Sequence, residues 1–60
     1  MRHQVNIIGE DCTVTVSQRS KTVWEASGSI EGQYLMVKDR SANTALSAWI
    51  AAARYRRARN

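Results

Sequence analysis

The stretch CTVTVSQ at residues 12–18 alternates apolar and hydroxyl side chains without a break. Only a chain with a two-residue repeat, a β-strand with one face buried, puts Cys12, Val14 and Val16 on one side and Thr13, Thr15 and Ser17 on the other. The rest of the fold must therefore supply strands to pair with this one and a layer to cover its apolar face.

Pairing candidates follow directly. After the polar break Arg19-Ser20-Lys21, residues 22–30 form a second run with Trp24, Ala26 and Ile30 on one face, and Glu31-Gly32 offers a two-residue turn with glycine free to take positive φ. Residues 33–39 form a third strand. A two-residue loop sets Ile30 opposite Gln33, hence Ala26 opposite Val37, Gly28 opposite Leu35 and Glu25 opposite Lys38, matching apolar with apolar and acid with base. Between the first two of these strands, placing Gln18 opposite Thr22 sets Val16 beside Trp24 and Val14 beside Ala26. The inner face then comprises Cys12, Val14, Val16, Trp24, Ala26, Ile30, Leu35 and Val37.

The cover is the proline- and glycine-free segment from Ser41 or Asn43 to about Arg57, rich in alanine and so suited to a helix. Either residue suits an N-cap. Ala42, Ala45, Leu46, Trp49, Ile50 and Ala53 recur at helical spacing, and Trp24 and Trp49 are expected to be the largest core contributors. The expected fold is α+β, a three-stranded antiparallel meander packed against one C-terminal helix. Val5, Ile7 and Ile8 belong either to a fourth strand or to an arm seeking a partner chain. Residues 1–60 form a single domain, with fraying expected at 1–4 and 58–60.

Sixty residues bury a modest core, and small domains add a disulfide, a metal or a partner. One cysteine and one histidine exclude an internal disulfide and a structural zinc site, which leaves oligomerisation. No cofactor is implied. Catalysis is not expected: Cys12 lies on a buried face, His3 outside the core, and the glycines of SGSIEG sit within a hairpin instead of between a strand and a helix. No apolar run is long enough to span a bilayer and no leader pattern is present, so the expected location is cytoplasmic.

The chain carries nine Lys and Arg against five Asp and Glu, and the excess of +4 equals the charge of Arg54, Arg56, Arg57 and Arg59 in its last residues. Cations there oppose the negative end of the helix dipole, and they also suit phosphates. The expected function is a small non-enzymatic binding module whose favoured ligand is nucleic acid, DNA or RNA. Its contacts would be Arg54, Arg56, Arg57 and Arg59, assisted by Lys38, Arg40, Arg19 and Lys21. The alternative is a self-associating protein-interaction domain, a homodimer formed through Val23, Tyr34 and Met36 on the outer face or through an open strand edge.

Over residues 12–55 the order of three strands and a helix is similar to two kinds of nucleic-acid module. One is the amino-terminal DNA-binding domain of certain integrases and of plant ethylene-response-type factors. The other is the second half of double-stranded RNA-binding domains, which RSANTALSAWIAAA resembles in its small-residue rhythm. The resemblance implies nucleic-acid binding, with the outer sheet face entering the DNA groove in the first kind.

Overall fold

A computed structural model describes residues 1–59 of the chain. Four strands, β1 (Arg2–Ile7), β2 (Glu10–Ser20), β3 (Val23–Ile30) and β4 (Gln33–Asp39), pair antiparallel in sequence order, and helix α1 (Ala42–Arg59) follows. The fold is thus α+β with the fourth strand present. Residues 2–7 pair with β2 from Arg2↔Thr15 to Ile7↔Glu10, so β2 is an interior strand and the open edges are those of β1 and β4. Helix α1 continues to Arg59, and the expected fraying at Asn60 lies outside the described residues.

Two tight turns shape one end of the sheet. Ile8-Gly9 and Glu31-Gly32 all take positive φ, at 48°, 89°, 54° and 75°, the paired left-handed geometry that matches the twist of a two-residue hairpin. Glycine takes this geometry freely, whereas β-branched Ile8 is strained in it. Asn6 compensates: its side-chain oxygen accepts from the Gly9 N–H at 3.1 Å while its amide donates to Asp11 at 2.9 Å.

The β3/β4 register is the expected one, with Ala26↔Val37, Gly28↔Leu35 and Glu25↔Lys38. The β2/β3 register differs from expectation. Val16 pairs with Ala26 and Gln18 with Trp24, because β2 continues to Ser20, the turn is Lys21-Thr22, and an irregularity between Gln18 and Ser20 absorbs Arg19. A two-residue displacement leaves every side chain on its own face. The core is therefore nearly as expected: Cys12, Val14, Val16, Ala26 and Ile30 from the sheet, and Ala45, Trp49 and Ala53 from the helix. The exceptions are these. Leu35 and Val37 are half-buried and pack against the core from its margin. Ile7 is fully buried, and Trp24, expected in the centre, is half-buried beside Asp39 at the end of the ladder.

Ser41 is the N-cap, its Oγ accepting from the Thr44 N–H at 3.2 Å. Trp49 is the largest fully buried side chain, and its Nε1–H donates to the Leu35 carbonyl at 2.8 Å. Gly28 makes that approach feasible: a Cβ there would lie 2.7 Å from the Thr13 carbonyl oxygen and 3.0 Å from Trp49 Cζ2. The alanines of α1 and this one glycine of β3 let helix and sheet meet around a single indole.

Candidate nucleic-acid interface

The four arginines of α1 do not form one free cluster. Arg57 is turned back onto the sheet, where its Nε–H donates to the Ile8 carbonyl at 2.9 Å and its Nη1 bridges Glu10 at 3.2 Å and Glu31 at 3.1 Å. Glu10 also accepts the Glu31 backbone N–H at 3.0 Å. One guanidinium thus ties the helix C-terminus to both tight turns, and the left-handed conformations of Ile8 and Glu31 sit inside that clasp.

Arg56 donates to the Gln33 side chain at 3.0 Å, and Arg59 lies over the Tyr55 ring, 5.4 Å from its centroid. Arg54 is exposed and makes no hydrogen bond or ion pair to another described residue. Glu31, Gln33, Arg56 and Arg59 line a hollow of about 510 Å³ beside the turn.

The remaining bases gather elsewhere. Three cross-strand rows can be followed on the outer sheet face, opposite the helix. The first is Gln4–Thr13, hydrogen-bonded at 3.0 Å. The second is Arg2–Thr15–Ser27–Met36, and the third is Ser17–Glu25–Lys38. Arg2 and Lys38 therefore stand on opposite edge strands, three strand spacings and one row apart, about 16 Å. Between them lie the hydroxyls of Thr15, Ser17 and Ser27.

Glu25 is only 8% exposed. Its charge is met by the Arg19 Nε–H at 3.3 Å, and Lys38 is its cross-strand neighbour as expected. Lys21 sits at the exposed tip of the β2/β3 hairpin and Arg40 just beyond β4. Lys21, Lys38, Arg40 and Arg2 make no ion pair among the described residues.

Folding has thus redistributed the charge that the sequence places in its tail. At the end with the two tight turns, Arg54, Arg56, Arg57 and Arg59 meet Glu10, Asp11 and Glu31, leaving +1. From the middle row to the hairpin tip, Arg2, Arg19, Lys21, Lys38 and Arg40 meet only Glu25 and Asp39, leaving +3. The helix dipole adds to the contrast, because α1 starts at the hairpin end and points its positive pole there.

Of the expected contacts, the structure brings Lys38, Arg19, Lys21 and Arg40 to one end and carries the four α1 arginines to the other. Arg2 joins the first group. Sequence reasoning omitted it because residues 1–4 were expected to fray, and the signal that would have found it is the alternation of Arg2, Gln4 and Asn6 with His3, Val5 and Ile7.

On the apolar side, Tyr34 is 66% and Met36 41% exposed on β4, while Val23 is half-buried. Cys12 is buried, its thiol pushed up by desolvation and then by the charge of Glu10, with Arg57 acting in the opposite direction. A second hollow of about 480 Å³ opens on the outer face where the β2/β3 ladder ends at Thr15↔Ser27, lined by Thr13, Ser29 and Tyr34 among others. Among the described residues no three His, Cys, Asp or Glu side chains come together to hold a metal, and no helix is long and apolar enough to cross a membrane. No family model, curated protein or solved structure matches this chain.

Proposed function

We propose that this chain is a small, non-enzymatic, cytoplasmic module that binds nucleic acid through its phosphate backbone. The observation that carries the reading is the partition of charge, +3 in the hairpin half against +1 at the helix C-terminus. Apart from Arg19, which is paired with Glu25, the basic side chains there make no ion pair among the described residues, and hydroxyls that can donate to phosphate oxygens lie between them. Such contacts position a protein on a duplex without reading its sequence. Arg54 and Arg59 remain available as secondary contacts, whereas Arg57 is committed within the chain.

The outer face offers one exposed aromatic ring, Tyr34. A single-strand site usually presents several stacking platforms, so a duplex backbone is the better fit. Backbone binding by about four cations (Arg2, Arg19, Lys21, Lys38) gives a log–log salt slope of about −3.6.

Amide NMR titration of the labelled protein with short duplex DNA and then duplex RNA tests this reading. Shifts are expected at Arg2, Thr15, Ser17, at residues 19–22 and at Lys38, fading between about 50 and 200 mM salt. Absence of shifts with both duplexes at low salt refutes nucleic-acid binding. Shifts confined to residues 54–59 return the contact to the helix end.

A further inference from the structure

We infer that two copies of this chain join through β4, strand to antiparallel strand, with the two-fold axis at Met36. This surface shares Lys38 with the basic hairpin half, but the inference is argued from the β4 edge alone and does not depend on nucleic-acid binding. The hydrogen-bond phase of β4 fixes it. Ile30 and Gln33 flank a two-residue turn and so form a hydrogen-bonded pair, and the alternation along an antiparallel ladder then commits Gln33, Leu35, Val37 and Asp39 to β3. The backbone N–H and C=O groups of Tyr34, Met36 and Lys38 point out from the open edge.

A row of donors and acceptors with strand spacing calls for another strand. A second β4 supplies one that matches itself. Full overlap of the seven residues of β4 sets Met36 against the partner's Met36, and Tyr34 against the partner's Lys38. These are the three residues whose backbone groups face outward, so hydrogen bonding and overlap select the same register.

The side chains agree with it. On the outer face the exposed Tyr34 ring meets an ammonium group and the two thioethers meet each other. On the inner face half-buried Leu35 meets the partner's half-buried Val37, and Gln33 meets the partner's Asp39. Neither Lys38 nor Asp39 meets its own copy.

The β1 edge does not offer the same fit. Its outer side chains Gln4 and Asn6 already bond Thr13 and Asp11, and it exposes no large apolar group on that face apart from the chain start. Of the protections that edge strands usually carry, β4 has one charge, Lys38, but no proline, no bulge and no inward-pointing charge before Asp39.

Sedimentation equilibrium from micromolar to millimolar protein tests the inference, with a mass rising towards twice the 6.8 kDa of one chain as the expected result. Met36→Lys places two ammonium groups face to face at the axis and should hold the protein monomeric with an unchanged circular dichroism spectrum. Register is tested by oxidation with copper phenanthroline. Antiparallel hydrogen-bonded pairs stand about 5.5 Å apart at Cα, within disulfide reach, so Met36→Cys should cross-link and Tyr34→Cys should not, while Cys12 stays buried. A monomer mass at every concentration, a dimer that survives Met36→Lys, or cross-linking of Tyr34→Cys as fast as Met36→Cys overturns the inference.

Discussion

Replacing Arg57 with glutamine should weaken the fold far more than it weakens binding. The guanidinium makes two carboxylate contacts at 3.2 and 3.1 Å and one carbonyl contact at 2.9 Å, with its side chain 29% exposed. Partly exposed ion pairs contribute about 0.2–1 kcal/mol each, and a charged hydrogen bond at the exposed Ile8 carbonyl about 1 kcal/mol. The sum is about 1–3 kcal/mol. At about 4–8 °C per kcal/mol for a domain of this size, the melting temperature should fall by about 5–20 °C.

Glutamine keeps most of the apolar stem, so the loss reports the charge and its bonds instead of packing. The assay is thermal unfolding by circular dichroism at low and high salt, with Arg54→Gln as control. The control should stay within about 0.5 kcal/mol of the parent, and the Arg57 effect should shrink as salt screens the pairs. If Arg57→Gln is as stable as the parent while its salt slope for duplex binding drops by about one unit, the clasp is not what Arg57 does and the tail regains its place as the binding hand.

Gly28→Ala should destabilise by about 1–3 kcal/mol through overpacking, since the added methyl meets the Thr13 carbonyl and the Trp49 ring; tryptophan fluorescence during denaturant unfolding reads it. Trp49→Ala should abolish the cooperative transition, a loss of about 3–5 kcal/mol in a small domain, whereas Trp24→Ala should leave a folded protein because that ring is half-buried. The Cys12 thiol should resist aromatic disulfide reagents at neutral pH in the folded state. Its raised pKa means the folded chain holds the thiol proton more tightly than the unfolded chain. That contribution to stability is complete below the ordinary thiol range and lost as pH rises from that range through the raised folded value; Cys12→Ser should flatten this alkaline loss in a pH series of unfolding curves.

The parts of the fold that were legible in the sequence are those fixed by short-range chemistry. Glu31-Gly32 determined a loop length, and loop length determined the whole β3/β4 register. The alternation of residues 12–18 determined which face is buried, and that assignment survived a register displaced by two. The displacement itself was hidden because the true turn, Lys21-Thr22, carries none of the Gly, Asn or Asp that mark tight turns, and the irregularity beside Arg19 has no local signature.

The Ile8-Gly9 turn was obscured for a similar reason, a β-branched residue standing where the backbone is left-handed. The destination of the arginines lay beyond any local pattern. Arg57 reaches Glu10 across 47 residues of sequence, and only the folded sheet shows how the charges of the chain divide into two unequal ends.

Fluorescence anisotropy of a labelled duplex, measured from about 50 to 200 mM salt, tests the central claim most directly. The parent protein should lose about 150-fold in affinity over that range, the consequence of a slope near −3.6. The triple variant Arg19→Gln, Lys21→Gln, Lys38→Gln should flatten the slope by about 2.7 units, and Arg57→Gln, compared below its melting temperature, should leave it nearly unchanged. A triple variant that keeps the parent slope would contradict the account, because the phosphates would then be held by something other than the hairpin half.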